Sequence, residues 1–262
     1  MNQAEKKMLD LLKQMKAEDD IVAVKAEFEA EGSRDDELVK LNEIIYRADM
    51  NLYIKIGGCE AVTDLNRCKQ LGAAGIMAPM IETPFAINKF KSAAEKVYGS
   101  QRDEIEWIIN AETKTCHENL DDILACGKDF LNVVAIGRVD YSASLGLSRA
   151  EINGERVFSG ASDIAKRSKN QGYIVNFGGG ISFDAIDFIL KMYPYSDRFE
   201  TRKIVFRTSD DEQALRRKIY HSLEFEVLYL QNKCEYYDKL AQEDRSRIEM
   251  LSKRLEVARQ QV

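Results

Sequence analysis

The sequence predicts an α/β protein in which a closed (β/α)8-type barrel of the TIM class is followed by one long C-terminal α-helix. Between residues 20 and 207, short runs rich in β-branched residues alternate with longer amphipathic stretches, which is typical of parallel strands joined by crossover helices. No GxGxxG motif follows the first run, which disfavours a dinucleotide-binding open sheet. After residue 209 neither glycine nor proline interrupts the helical pattern.

The predicted strands are recognised by their apolar residues and by the helix signals that follow them. Thr83 and Pro84, for example, supply an N-cap residue and a first-turn proline, and Gly72 ends the preceding helix. Seven strands are predicted, over residues 21–29, 51–58, 74–82, 104–112, 131–140, 173–182 and 202–208. A closed barrel has eight, so one more is expected, either near the N-terminus or within residues 141–165.

Residues 209–262 form the second predicted unit, after a barrel domain of residues 1–208. Twelve positions in this unit alternate by three and four residues, and eleven of them are apolar or weakly polar. These seam positions are Tyr220, Leu223, Val227, Leu230, Cys234, Tyr237, Ala241, Asp244, Ile248, Leu251, Leu255 and Ala258. The heptad pattern predicts an oligomerising coiled coil. Another copy of the chain is the expected partner, although a long helix packed on its own barrel would show a similar pattern.

Composition excludes several classes of function. The 262 residues include 38 Lys and Arg and 44 Asp and Glu, for a net charge of -6, which disfavours nucleic-acid binding. The first twenty residues contain no apolar signal segment, and no apolar run is long enough to span a membrane. Five cysteines without CxxC spacing are typical of reduced thiols. A cytoplasmic protein with neither membrane nor nucleic-acid partners is therefore expected.

Candidate functional residues lie at the carboxyl ends of the predicted strands, where the loops of parallel βα proteins converge. Glu112 and Asp140 end two consecutive strands. Because Mg²⁺ and similar hard cations bind one or two carboxylates together with water and substrate oxygens, we expect these residues to hold a metal. The ion would stabilise the enolate of a 2-oxo acid.

Two basic residues at neighbouring strand ends are candidates for substrate binding. Lys55 could neutralise a substrate carboxylate or enolate, and Arg138 could bind a second anionic group through its guanidinium fork. Glu27 and Glu29, which follow the first strand, are further candidates. An acidic residue at a strand end can equally cap a helix or form a surface salt bridge, so spacing alone leaves both interpretations open.

Two motifs at these positions resemble the HpcH/HpaI aldolase and citrate lyase β-subunit family. The segment IINAETKTCHENLDDIL resembles the family's strand ending in I-E-T, whose Glu binds the metal, here Glu112. VVAIGRVDYSASLGL resembles the loop G-x-x-D-L-x-x-x-L-G, whose Asp is the second ligand, here Asp140. The resemblance covers about residues 20–207. It implies a TIM barrel, a Mg²⁺ or Mn²⁺ ion, and cleavage or formation of a carbon–carbon bond through an enolate.

The sequence departs from the family pattern at two catalytic positions. Lys55 replaces the family's substrate-binding Arg, which keeps the charge but loses the bidentate fork. The aldolases' His aligns with Ala30, and His117 is the only nearby substitute. Glu27 or Glu29 could instead orient a water as general base.

We therefore expect a divalent-metal-dependent carbon–carbon lyase or aldolase that acts on a 2-oxo acid or related carboxylate through a metal-stabilised enolate. The alternative is a catalytically impaired barrel that serves as an oligomeric scaffold or partner-binding protein. The substitutions at Lys55 and Ala30 favour this alternative.

Overall fold

Eight strands close into a barrel in the computed structural model, which describes residues 1–259 and the side chains of residues 1–254. The strands are β1 (Ile21–Glu27), β2 (Asn51–Lys55), β3 (Gly75–Ala78), β4 (Glu106–Ala111), β5 (Val133–Gly137), β6 (Ile174–Gly178), β7 (Arg198–Glu200) and β8 (Ile204–Arg207). They follow one another in chain order around the barrel. The predicted TIM-type barrel is confirmed.

Within residues 1–259, ten α-helices surround and extend the barrel. They are α1 (Gln3–Glu18), α2 (Asp35–Arg47), α3 (Val62–Gln70), α4 (Pro84–Tyr98), α5 (Lys114–Glu118), α6 (Leu120–Gly127), α7 (Arg138–Ser144), α8 (Glu155–Asn170), α9 (Ile186–Met192) and α10 (Glu212–Arg259). Short 3₁₀ helices span Gly99–Glu104, Arg149–Glu151, Phe183–Ala185 and Tyr193–Tyr195. As predicted, Thr83 caps α4 by accepting a hydrogen bond from the Ala86 amide, and Pro84 is the first helical residue.

The strand that the sequence did not locate is β7. It lies in neither of the expected places, because residues 3–18 form α1 and residues 141–165 fall in α7, α8 and the turn between them. At three residues, β7 is too short to show a recognisable periodicity. Only residues 201–203 separate β7 from β8, whereas a parallel crossover needs about a dozen residues or more. Strand β8, which covers the segment expected over residues 202–208, is therefore antiparallel to both β7 and β1.

The reversal of β8 determines the course of α10. The chain leaves β8 at the end of the barrel where β1 begins, and Arg217 and His221 there contact the two carboxylate oxygens of Asp19, at 2.7 Å and 2.6 Å. The helix then runs back along the barrel, where Tyr237 donates a hydrogen bond to Glu37, at 2.5 Å. As a result, α10 passes the rim at which β1 to β7 end.

The two faces of α10 have different environments. Its inner face is buried against the body of the protein through Leu215, Ile219, Phe225 and Tyr229. Only part of the predicted seam is solvent-exposed. Tyr237 contacts Glu37, whereas Tyr220, Leu223, Val227, Leu230, Ile248 and Leu251 are 38–61% exposed. Every described side chain from residue 238 onward is exposed. The structure does not describe the side chains of seam positions Leu255 and Ala258, nor any part of residues 260–262.

The barrel interior combines an apolar cluster with buried polar groups. Side chains alternate between the inside and the outside along each strand, and the inward-facing apolar cluster includes Ala23, Tyr53, Met77, Ile108, Val133, Ala135 and Val205. On the same inner face, the Arg198 guanidinium donates hydrogen bonds of 2.8 Å and 3.0 Å to Glu106, which also accepts one from Tyr53.

None of the helices among residues 1–259 is long and apolar enough to cross a membrane.

Candidate active site

A cavity of about 840 Å³ opens at the carboxyl ends of the barrel strands. Its walls are the upper inner face of the barrel, the loops that follow β5 and β6, and one side of α10. The charged side chains that line it are Lys25, Glu27, Glu29, Glu31, Lys55, Glu112, Asp140, Arg149, Glu200, Arg202, Glu226 and Lys233. Acidic groups outnumber basic ones, which favours binding of a cation within the cavity.

Glu112 is fully buried in the wall of the cavity, directly after β4. Its Oε1 accepts a hydrogen bond from the Met80 amide, at 3.1 Å, and its Oε2 accepts one from the Asn110 amide group, at 2.7 Å. Gly137 on the adjacent strand leaves room for this side chain, because a Cβ at that position would lie 2.6 Å from Glu112 Oε2. A glycine on β5 is thus needed to make room for the Glu112 carboxylate.

The ionisation of Glu112 reflects its surroundings. Burial raises the pKa of the Glu112 carboxyl, and the Lys55 ammonium opposes this rise without cancelling it. The Asp140 carboxylate raises the pKa further, since two like charges disfavour each other. A nearby positive charge would therefore stabilise the ionised form of Glu112.

Asp140 lies on the same cavity wall, in the first turn of α7 immediately after β5. It is exposed and forms no ion pair with any described residue. Because β4 and β5 are paired in parallel, with Ala111 opposite Ile136, the two predicted metal ligands follow the same end of adjacent strands.

The donor atoms on this wall fit a hard divalent cation. Glu112 and Asp140 offer carboxylate oxygens, and Oδ1 of the buried Asn110 has no hydrogen-bond partner. Within the described chain, no three His, Cys, Asp or Glu side chains come together as a metal site. Mg²⁺ commonly takes only one or two carboxylates and fills its other positions with water and substrate oxygens.

Lys55 stands between two carboxylates at the end of β2. Its Nζ lies 2.7 Å from Glu29 Oε2 and 3.6 Å from Glu112 Oε2. Burial lowers the pKa of Lys55, but the surrounding carboxylates, Glu112 first, raise it above its ordinary value. At neutral pH this side chain is an ammonium ion and a hydrogen-bond donor.

A second buried lysine was not identified from the sequence. Lys25 lies on β1 with its Nζ 2.5 Å from Glu200 Oε1 and 3.5 Å from Glu27 Oε1. Burial lowers the pKa of Lys25, and the carboxylates of Glu200 and Glu27 raise it to a net value above normal. The sequence did contain a signal for Lys25: it is a charged residue within an otherwise apolar strand. Because it lies two positions before Glu27, it is on the same face of the strand. The sequence contained no comparable signal for Glu200, because β7 was not predicted.

Arg138 does not line the cavity, although the sequence predicted a substrate-binding role for it. Its buried guanidinium donates to the carbonyl oxygens of Gly178, at 3.1 Å, and Gly179, at 2.7 Å. A third hydrogen bond of 2.8 Å reaches Asn153, and the group lies 4.3 Å from the centre of the Phe188 ring. Burial lowers the pKa of Arg138 to about 10, so it stays charged at neutral pH. Its contacts hold the loop after β6 in place.

His117 also lies outside the cavity wall. Its ring nitrogens bond to Tyr141 Oη and to Asp163 Oδ2, each at 2.8 Å, and so connect α5 with α7 and α8. Ala30 does line the cavity. Since no histidine among the described residues does so, a side chain acting there as general base would be a carboxylate.

Comparison with known proteins agrees with the fold. A sequence model of HpcH/HpaI aldolase/citrate lyase matches residues 19–178. The structure is similar to an HpcH/HpaI aldolase from Desulfitobacterium hafniense DCB-2, with a TM-score of 0.57 and 18% identity, covering 70% of this chain and 78% of that chain. It is also similar to the citrate synthase SbnG, with a TM-score of 0.59 and 16% identity, covering 87% and 90%.

A third similar structure is an HpcH/HpaI aldolase/citrate lyase family protein from Burkholderia cenocepacia J2315, with a TM-score of 0.57 and 16% identity, covering 70% of this chain and 79% of that chain. Comparison with curated protein sequences gave no match. At these levels of identity, the structural similarities show the barrel architecture, and the match to the sequence model spans most of the barrel.

Proposed function

Because the chain belongs to the HpcH/HpaI aldolase/citrate lyase family, we propose that it is a divalent-metal-dependent carbon–carbon lyase acting on a 2-oxo acid or related carboxylate. The observation that supports this most directly is the shared cavity wall of Glu112 and Asp140, with the Lys55 ammonium 3.6 Å from Glu112. This wall combines oxygen ligands for a cation with a positive group for an anionic substrate.

Glu112 and Asp140 would hold a Mg²⁺ or Mn²⁺ ion. The bound ion would supply a Lewis acid that polarises the substrate's oxygens and stabilises the negative charge of an enolate. Asn110 and the Met80 amide fix the orientation of Glu112, as outer partners do for ligands in metal sites. Lys55 would bind the substrate carboxylate as a point charge.

Glu29 is the carboxylate best placed to move a proton. Both Glu27 and Glu29 line the cavity, each beside a lysine, but the Glu29 side chain is 28% exposed and that of Glu27 only 6%. In the cleavage direction, Glu29 would accept the hydroxyl proton of a 4-hydroxy-2-oxo acid while the bond between carbons 3 and 4 breaks and an aldehyde forms. The same proton can then be returned to carbon 3 of the enolate, which gives the 2-oxo acid product.

The two buried lysines do not favour a Schiff-base reaction. A lysine that attacks a carbonyl must be neutral, and such lysines have a lowered pKa. Carboxylates instead raise the pKa of both Lys25 and Lys55 above the ordinary value. Both side chains thus suit electrostatic roles.

Calorimetric titration with Mn²⁺, in the presence and absence of pyruvate or oxaloacetate, tests the proposed function. We expect the oxo acid to strengthen Mn²⁺ binding, because substrate oxygens complete the coordination of the ion. The rival function, a scaffold that has lost catalysis, is favoured by Lys55 and by Ala30 at the family's Arg and His positions. Absence of both Mn²⁺ and oxo-acid binding would support the scaffold instead.

We also propose that residues 209–262 are an oligomerising unit appended to a barrel of residues 1–208. The outward face of α10 carries exposed seam residues, while every described side chain from residue 238 onward is exposed. Isolated helical segments are only marginally stable in water, so a second copy packed on this seam would stabilise the projecting half. A cytoplasmic location, in which the five free cysteines would stay reduced, belongs to the same proposal.

The double substitution Ile248→Lys and Leu251→Lys tests this association. Both side chains are exposed, at 61% and 47%, so the charges should leave the folded chain intact but disfavour a shared seam. We expect the mass measured by light scattering to fall to that of a smaller species. The double substitution Leu240→Lys and Met250→Lys, at two exposed residues outside the seam, is the matched control. An unchanged mass in the seam variant would contradict the coiled coil.

A further inference from the structure

Among the side chains of residues 1–254, one basic residue at the rim of the cavity has no acidic partner. The other four that line it are paired: Lys25 with Glu200, Lys55 with Glu29, Arg202 with Glu31 and Lys233 with Glu37. Arg149 is exposed, lines the same cavity and forms no ion pair with any described residue. Its guanidinium is therefore available to an anion.

The turn that carries Arg149 is held firmly in place. Ser148 donates two hydrogen bonds to Glu151 Oε2, of 3.0 Å from its amide and 2.9 Å from its hydroxyl. Ile152 is buried, and a Cβ on Gly180 would lie 3.0 Å from it. Local hydrogen bonds and packing thus fix the backbone on both sides of Arg149.

The buried Arg138 also contributes to this turn. Asn153 accepts a hydrogen bond from the Arg138 guanidinium, at 2.8 Å, and donates one to the Asp184 carbonyl, at 3.2 Å. Arg138 in addition binds the carbonyls of the loop after β6. It therefore acts as a positioning residue for the side of the cavity that presents Arg149.

The size of the cavity indicates a substrate longer than pyruvate. Its volume of about 840 Å³ lies in the range of roughly 300–1,000 Å³ that is typical of pockets for drug-sized ligands. A three-carbon acid held at Glu112, Asp140 and Lys55 would leave most of this space to the remainder of the substrate. That remainder would extend towards the rim.

We propose that Arg149 binds a second, distal anionic group of the substrate, either a carboxylate or a phosphate, and so selects acidic substrates over neutral ones. This inference rests on the proposed function, because the oxo-acid end of the substrate must first be held at the metal wall. A guanidinium can bind either oxyanion through paired hydrogen bonds. Glu31, which also lines the cavity, has its own basic partners in Lys203 and Arg202, at 2.6 Å and 3.2 Å.

Calorimetry with matched ligands tests the subsite in the full-length chain with saturating Mn²⁺. The ligands are 2-oxoglutarate, 2-oxoadipate and 2-oxopimelate, each beside its neutral terminal amide, and 4-phosphono-2-oxobutyrate as the phosphate-like arm. We expect at least one charged ligand to bind about 10- to 100-fold more tightly than its neutral counterpart, as a charged hydrogen-bonded group does. Arg149→Gln should remove that preference and leave amide binding unchanged.

Two controls make the result interpretable. Arg156→Gln alters an exposed arginine on α8 that does not line the cavity, and it should leave every affinity unchanged. Thermal unfolding of Arg149→Gln should match the wild type, because the side chain is exposed and forms no ion pair with the side chains described up to residue 254. A larger loss for the phosphonate than for the carboxylates would identify phosphate as the distal group, and the reverse would identify carboxylate.

The outcomes separate the subsite from the proposed function. If the wild type binds oxo acids with Mn²⁺ but shows no preference for charged ligands, or keeps its preference in Arg149→Gln, the subsite is wrong and the lyase proposal stands. If the wild type binds no oxo acid with Mn²⁺, the proposed function is wrong and the subsite falls with it.

Discussion

Glu112→Gln should weaken Mn²⁺ binding by at least about 100-fold, since loss of a ligand costs more than loss of an outer partner, which typically costs 10- to 100-fold. It should lower kcat/KM for oxo-acid cleavage by roughly 1,000-fold, because several kcal/mol of enolate stabilisation would be lost. The replacement keeps the shape of the side chain and removes its charge. Steady-state kinetics and Mn²⁺ calorimetry on the same preparation measure both effects.

The same substitution should not unfold the protein. Burial raises the pKa of the Glu112 carboxyl, so folding favours its neutral form, which glutamine resembles. Lys55 retains Glu29 as a partner, at 2.7 Å. We therefore expect the melting temperature without metal to stay within a few degrees of the wild type, or to rise.

Glu226→Gln provides a control of equal charge change. Glu226 lines the same cavity from α10, away from the wall formed by β4 and β5. Its removal should leave Mn²⁺ affinity nearly unchanged. Equal losses in the two variants would show that the cavity attracts cations only through its total charge, and the assignment of Glu112 as a ligand would be wrong.

The second large effect concerns stability. Arg198→Met should lower the free energy of unfolding by about 3–5 kcal/mol, because it leaves the Glu106 carboxylate without its partner in the barrel interior. The two side chains are 11% and 19% exposed, and their closest contact is 2.8 Å. Denaturant titration measures the loss, which corresponds to a fall in melting temperature of roughly 10 °C.

Two companion variants test the cause of that loss. Arg216→Met breaks the exposed pair with Glu212 on α10, whose side chains are 54% and 53% exposed, and should change stability by less than about 0.5 kcal/mol. Adding Glu106→Gln to Arg198→Met should restore part of the stability, since the unpaired charge is removed. If Arg198→Met unfolds like the wild type, the buried pair contributes nothing to the fold.

Five of the six candidate site residues line the cavity, because strand ends are a local property of the sequence. Lys55, Glu112 and Asp140 each follow a run of apolar residues that is recognisable without knowledge of its neighbours, as do Glu27 and Glu29. Parallel pairing then brings such positions to one rim. The direction of a side chain beyond the strand end depends on contacts with distant parts of the chain. Arg138 is therefore buried behind the cavity wall, where it binds the Gly178 carbonyl, and does not line the cavity.

The barrel, the long C-terminal helix and the segments that reach the rim could be predicted from the sequence, because hydrophobic periodicity and helix caps are encoded within about ten residues of one another. Four features became visible only in the folded structure: β7 completes the barrel, β8 reverses, Lys25 meets Glu200, and Arg149 lines the cavity. Closure of the barrel joins residues distant in the chain, such as Lys25 and Glu200. The reversal of β8 follows from a turn too short for a crossover. Neither feature leaves a periodic pattern in the sequence.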